Sequence, residues 1–285
     1  MVGRRPVLIA AVAASLAMAV GGCVGASPGS PGGGGRAQLR RALAAWSGFP
    51  VHAWPRPLVL AGPDIAGPPG GFPEGAAKVA YLEGAVTFPA RMPRGPAAAG
   101  GLPLITARQA ADRYRAGAAA GQPAGTRLRV TIVRLGTGVF VTDRGVRRLP
   151  AWLFGFAGVR GPAAVLAVAP GDIFTPPVPA GGRPPVVEWA YLGADGRTLT
   201  VRFTGAAPGR GACTASYSAQ IASSATAVAV AVREHPHASG NAICAAVGYP
   251  RKVTIKLPAS LGARVVVDAA SRTAVAVTAA AGAAT

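Results

Sequence analysis

The stretch VVEWAYLGADGRTLTVRFT, residues 186–204, decides the fold class of this chain. Two runs that alternate apolar and polar residues flank Gly-Ala-Asp-Gly at 193–196, which is a turn sequence. In the second run Leu199, Val201 and Phe203 share one face, and the other face carries Thr198, Thr200 and Arg202. Such alternation is typical of a half-buried strand. The stretch therefore predicts an antiparallel β-hairpin with one face in a core.

The same pattern continues towards the C-terminus. Alternating or apolar runs occur at 213–221, 225–232, 252–257, 264–268 and 274–277, with turn residues between them. About seven short strands at regular spacing favour a β-sandwich or a small barrel. Alternation over 213–221 puts Cys213 on the core side of its strand. We expect an all-β domain over residues 185–278, preceded by a boundary in the Pro- and Gly-rich segment 174–185 and followed by a tail at 279–285.

Residues 47–180 predict a first domain of α+β type. Its strand signals are the run 127–135, a turn at 136–138, a second turn at 143–145, and a strand with Trp152, Phe154 and Phe156 on one face. Residues 78–88 also suggest a strand, interrupted at Glu83-Gly84. The fold class predicted for the whole chain is mainly β (α+β), with an antiparallel sheet beside one helix and then a sandwich-like domain.

That one helix is predicted over residues 106–116. Thr106 and Gln109 have the spacing of a capping box, Asp112 and Arg115 are placed to pair on the surface, and Gly117 ends the segment. A shorter basic helix is expected over 36–46, where Leu39, Leu43 and Trp46 share a side. This second helix either lies on a membrane surface or, as we expect, docks on the domain that follows it.

The N-terminus has the pattern of an export signal. Arg4 and Arg5 precede an apolar run that is short for a membrane span and ends in Val-Gly-Gly-Cys at 20–23. This ending resembles the bacterial lipoprotein box. The resemblance implies a signal peptide at 1–22 and a diacylated, palmitate-type anchor on Cys23, followed by a tether within residues 23–46. An ordinary cleaved signal with an incidental Cys23 is the alternative, and the two arginines also suggest a twin-arginine signal.

Charge and cysteine usage agree with export. The formal charge of +19 is interpreted first as a solvated basic surface, and contact with an anionic surface, either lipid or wall polymer, is the alternative. No nucleic-acid partner is expected for an exported protein, and the lipid bilayer is expected as a partner through Cys23. With Cys23 lipidated, Cys213 and Cys244 remain, and a disulfide is the default outside the cytoplasm. Two buried free thiols or a labile redox pair are the alternatives.

Several stretches resemble a group of actinobacterial secreted lipoproteins of unknown function. They are Thr-Asp-Arg-Gly at 142–145, Leu-Pro-Ala-Trp-Leu-Phe at 149–154, Asp-Gly-Arg at 195–197, Cys-Thr-Ala-Ser-Tyr at 213–217 and Val-Gly-Tyr-Pro-Arg at 247–251. The resemblance implies an extracytoplasmic, lipid-anchored location at the cell membrane and a C-terminal disulfide. It implies no activity.

Catalytic motifs are absent from the sequence, and no cofactor is predicted. His235 and His237, with Glu234, form one local set of potential zinc or copper ligands, and both imidazoles point to the same side if the segment is extended. A strand end and turn is the alternative. Glu83 and Glu188 are read as surface residues of strands, although a buried carboxylate could act as an acid. Trp152, Trp189 and Tyr217 are either core residues or the lining of a ligand groove.

Three functions remain open at this stage. The first is a non-catalytic, membrane-anchored envelope protein that binds another protein, such as a membrane protein, or a wall polymer. The second is an exported hydrolase or metal-dependent enzyme, which requires a histidine and a carboxylate in a pocket. The third is a solute-binding lipoprotein, a class that has more helices than this sequence predicts.

Overall fold

A computed structural model describes residues 33–118, 125, 127–177, 183–237 and 243–279 of the chain. The expected signal peptide, Cys23, most of the tether and the end of the tail lie outside these residues. Strands hold 41% of the described residues and helices 14%, which confirms the mainly β α+β class. The described part contains three α-helices rather than the two that the sequence predicts.

The first part of the described chain contains all three helices and seven strands. In chain order these are α1 (Gly33–Ala45), β1 (Ile65–Ala66), α2 (Gly75–Leu82), β2 (Val86–Thr87), β3 (Ala98–Ala99), β4 (Leu102–Pro103), α3 (Ala107–Gly117), β5 (Leu128–Thr142), β6 (Gly145–Phe156) and β7 (Ala163–Leu166). The capping box of α3 and its Arg115–Asp112 contact at 2.7 Å are present as predicted.

Five strands form a sheet in the order β1-β7-β6-β5-β2, and both of its faces are buried. On one face Trp152, Phe154 and Phe156 pack with α2 and α3, as their alternation predicts. On the other face Phe140, Leu153 and Leu166 form a second core. All pairs are antiparallel except β2 with β5, which is parallel.

The expected turn at 136–138 is wrong, because β5 runs through Gly136 and Gly138 without a break in its pairing to β6. These glycines create space instead of a turn. A Cβ at Gly138 would lie 2.7 Å from the Phe140 ring and 2.8 Å from the Ala164 Cβ. The predicted turn at 143–145 is confirmed, with Gly145 at φ 81°.

The strand expected over 78–88 is also wrong in its first half, which forms α2. Ala77, Ala80 and Tyr81 are buried at helical spacing, and Glu83-Gly84, read as an interruption, is the end of the helix. Gly84 has φ 67° just after the C-cap residue Glu83, which is the usual glycine stop of a helix.

A one-turn 3₁₀ helix (Pro170–Asp172) leads to the second group of strands. These are β8 (Trp189–Leu192), β9 (Thr198–Gly205), β10 (Ala215–Ser223), β11 (Ala227–Pro236), β12 (Tyr249–Lys256), β13 (Val265–Asp268) and β14 (Val277–Ala279). The hairpin at 186–204 is present as β8 and β9. A three-stranded sheet, β10-β11-β13, faces a four-stranded sheet, β12-β9-β8-β14.

The core between these two sheets has the make-up of a sandwich. Val228, Val230 and Val266 from the smaller sheet meet Leu199 and Val201 from the larger one. Each sheet includes one parallel pair at its edge, β11 with β13 and β8 with β14.

Helix α1 covers the outer face of the smaller sheet. Its Leu39 and Ala42, together with Trp46, pack on Ala227 and Ala229 of β11. The Trp46 indole donates to the carbonyl of Arg272 at 2.8 Å. Phe49 and Val59, from the segment that follows the helix, belong to the same buried cluster. Helix α1 therefore packs on the segment that follows it as well as on the small side chains of the distant strand β11.

Candidate functional site

The outer face of the four-stranded sheet carries the most unusual set of exposed side chains in the described chain. The strand register places Trp189, Arg202 and Lys252 side by side in one row across β8, β9 and β12. Directly opposed residues of an antiparallel pair lie on the same face. Because Ala190 and Val201 of the neighbouring row are fully buried, this row points away from the core.

The next outward row is neutral and suited to hydrogen bonding. It contains Tyr191, Thr200 and Thr254, and the two threonine hydroxyls lie 3.0 Å apart. Arg202 donates to the Tyr191 hydroxyl at 3.3 Å, and the Trp189 indole donates to Thr278 at 3.1 Å. Aromatic rings, cations and hydroxyls therefore share one continuous surface, which we name the open face.

Two like charges are opposed on the open face, where the edge strand β12 pairs with β9. Arg202 and Lys252 are direct partners in the β9–β12 register, an arrangement that destabilises a sheet. Among the described residues, neither cation lies within salt-bridge distance of a carboxylate. The nearby Glu188 accepts a 2.6 Å hydrogen bond from Thr204 instead. An anionic ligand would relieve this repulsion.

The open face is concave beside these cations. A depression of about 520 Å³ is lined by Tyr191, Thr200, Arg202, Pro250, Arg251 and Lys252. The guanidinium of Arg251 is already engaged by the carbonyls of Ala206 and Ala215. Arg202 and Lys252 are therefore the two cations of the depression available to a ligand.

A second basic depression lies beside the five-stranded sheet and its helices, which we name the first sheet unit. Arg91, Arg94 and Arg108 are exposed around a concavity of about 710 Å³ beside the start of α3. It contains no aromatic side chain in its lining. Its arginines therefore provide a comparison for the cations of the open face, with similar charge but without aromatic neighbours.

The predicted metal ligands are only partly brought together. His235 and His237 do share one side of the extended β11 end, where they contact Ser218 at 2.7 Å and Ser216 at 3.2 Å. Glu234 is paired with Tyr217 on the opposite face. Within the described ranges, no group of three His, Cys, Asp or Glu side chains is arranged to hold a metal ion.

The remaining sequence predictions divide clearly. The Cys213–Cys244 disulfide is confirmed, but both cysteines are exposed, so the core placement of Cys213 is wrong. Strand β10 begins only at Ala215. Cys213 precedes the strand, so the alternating pattern of the sequence does not determine which way its side chain points. Cys23, the expected lipidation site, lies outside the described residues.

The three aromatic residues considered as a ligand groove have separate positions. Trp152 is buried and donates to the carbonyl of Ile105, and the Tyr217 hydroxyl accepts from the amide of Ala206. Only Trp189 lies on the open face. Sequence alternation places Arg202 on the outside of its strand, but nothing local indicates that Lys252 lies beside it.

Fold and site together define an α+β protein dominated by two sheet units, one of which presents a basic and aromatic open face. No protein family, no curated protein and no solved structure matches the chain. No helix of the described chain is long and apolar enough to cross a membrane.

Proposed function

We propose that this chain is an exported, lipid-anchored protein of the cell envelope that binds an anionic wall polymer without catalysing a reaction. The open face is the binding surface, and Cys23 carries the anchor to the outer side of the cell membrane. The observation that carries the proposal is the opposed pair Arg202 and Lys252, which has no carboxylate partner among the described residues.

The neighbours of this pair suit a charged glycan. Trp189 and Tyr191 offer half-buried rings, which are amphipathic surfaces, and Thr200 and Thr254 offer hydroxyls. A long polymer matches an uncovered sheet face better than a small solute, because the depression there is shallow and continuous with the strands. The net charge of +19 would attract such a polyanion before contact.

Binding of a soluble phosphodiester-bearing glycan to the full detergent-extracted chain tests the proposal. We expect the double variant Arg202→Gln/Lys252→Gln to bind at least about a hundredfold more weakly, since each of the two charge-assisted hydrogen bonds contributes about 1.5–3 kcal/mol. The matched variant Arg94→Gln/Arg108→Gln removes the same charge from the second basic depression and should bind nearly as well as the parent.

The two variants also define the contradicting results. If both lose affinity equally, binding reflects net charge and not the open face. If only Arg94→Gln/Arg108→Gln loses affinity, the binding surface is the depression beside α3. Added salt should weaken binding by the parent chain, because exposed charges are screened over about 8 Å at physiological ionic strength.

A further inference from the structure

A separate cavity lies between α2, α3 and the segment before and after β1. On α2 its lining comes from Lys78, Tyr81 and Leu82, which have the i, i+3, i+4 spacing of one helix face. Tyr114 lines it from α3. The cavity has a volume of about 450 Å³, which is within the usual range of small-molecule sites.

The walls of this cavity are aromatic and fixed by their neighbours. The Tyr81 ring lies 4.9 Å from Phe72 and 5.3 Å from Tyr114, measured between ring centroids. Its other side packs at right angles on Phe156, at 5.7 Å, in the core of the first sheet unit. Ile65 adds an aliphatic surface. An apolar ligand would therefore meet a preformed surface.

One buried donor of the cavity wall has no partner. The Tyr114 hydroxyl donates to the carbonyl of Tyr81, whereas the Tyr81 hydroxyl is buried and has no hydrogen-bond partner in the described part of the chain. Buried hydroxyls are normally satisfied, so an orphan at a cavity is informative. Burial raises the pKa of Tyr81 to about 12, and the group therefore stays protonated and can donate.

The rim of the cavity carries one cation next to that donor. Lys78 is exposed, precedes Tyr81 by one helical turn, and has no carboxylate within salt-bridge distance among the described residues. The acidic residue of the lining, Asp64, is 40% exposed, and its carboxylate lies 3.7 Å from the Arg113 guanidinium, which offsets part of its charge. Lys78 and Tyr81 are the two donor side chains of the lining that have no partner among the described residues.

We propose that this cavity binds a small amphipathic carboxylic acid. Its apolar body packs on Phe72, Tyr81 and Tyr114. Its carboxylate pairs with Lys78 and, after a small displacement of the cavity wall, accepts a hydrogen bond from the Tyr81 hydroxyl, which is covered in the unliganded chain. This site is distinct from the open face and does not depend on polymer binding.

Calorimetric titration of the full chain with decanoate, and with decanol as the uncharged probe, tests the proposal. We expect saturable decanoate binding that Tyr81→Phe weakens by about tenfold to a hundredfold, the range for one lost hydrogen bond to a charged group. Lys78→Gln should weaken binding of decanoate but not of decanol. Lys256→Gln, an exposed lysine on β12, is the control and should bind as the parent does.

The thermal stability of Tyr81→Phe separates ligand binding from folding. Because the Tyr81 hydroxyl has no partner among the described residues, the unliganded variant should be as stable as the parent or more stable. Absence of saturable decanoate binding to the parent chain would overturn the proposal. Equal decanoate affinities of the parent, Tyr81→Phe and Lys78→Gln would overturn it as well, because the two donors would then play no part.

Discussion

At the level of single residues, Asp143 connects the turn between β5 and β6 to distant parts of the chain. Its position in a tight turn is evident from Asp-Arg-Gly at 143–145. The structure adds that its carboxylate is buried and receives two hydrogen bonds from Arg56, at 2.5 and 3.3 Å. The Asp143 carbonyl also accepts from the amide of Val277, which joins the first sheet unit to the sandwich.

Removal of this carboxylate should be costly. Asp143→Ala would leave Arg56 without its partner, and breaking a buried ion pair costs about 3–5 kcal/mol. Since the Arg56 side chain is 22% exposed, we expect the lower end, about 3 kcal/mol, by urea unfolding. The control Asp112→Ala breaks the exposed pair with Arg115 and should cost no more than about 0.5 kcal/mol. Equal losses in both variants would contradict this role of Asp143.

Burial of the Tyr81 hydroxyl should make the folded chain lose stability at alkaline pH. Its hydroxyl keeps its proton up to a pKa of about 12 in the folded chain, against 10.0 for an ordinary tyrosine. Between these values the folded state binds more protons than the unfolded state, so the unfolding free energy falls as pH rises. The full shift corresponds to about 2–3 kcal/mol.

Unfolding of the parent chain and of Tyr81→Phe between pH 9 and 12 measures this effect. The variant should lose less stability across the range than the parent does. It should still lose some, because burial also raises the pKa of Tyr114. Parallel pH profiles for the two chains would show that Tyr81 ionises normally.

At the level of elements, local signals predict some segments and not others. Helix α3 has its capping box and the β8–β9 hairpin has its turn, so both follow from a few adjacent residues. Helix α2 lacks a side-chain cap, and its apolar residues fit a strand equally well. Strand β5 contains glycines that match a turn pattern but serve close packing against residues distant in sequence.

The spatial role of Gly138 can be tested directly. Gly138→Ala places a methyl group against Phe140 and Ala164, and overpacking of this kind costs about 1–3 kcal/mol. Gly48→Ala is the control, since nothing lies within 4 Å of its added Cβ, and it should be neutral or stabilising by up to about 1 kcal/mol. Thermal unfolding that ranks Gly48→Ala as the less stable variant would refute the packing explanation.

At the level of the whole molecule, long-range pairing determines what the sequence cannot predict. Helix α1 comes first in the described chain, yet it covers a sheet made of β10, β11 and β13. Lys252 lies beside Arg202 only because β12 pairs with β9, although β10 and β11 separate these two strands in the sequence. The sequence therefore predicts which segments are strands and which of their residues face outward. Which of those residues are neighbours on the open face is known only from the order of the strands in the sheet.

The indole N–H resonances of the four tryptophans offer the most direct test of polymer binding at the open face. Trp46 and Trp152 are buried, Trp54 is 96% exposed outside the sandwich, and Trp189 lies on the open face. On titration with the phosphodiester glycan, we expect the Trp189 resonance to shift while the other three stay in place. Saturable binding with Trp189 unchanged, or with Trp54 shifting instead, would contradict binding at the open face.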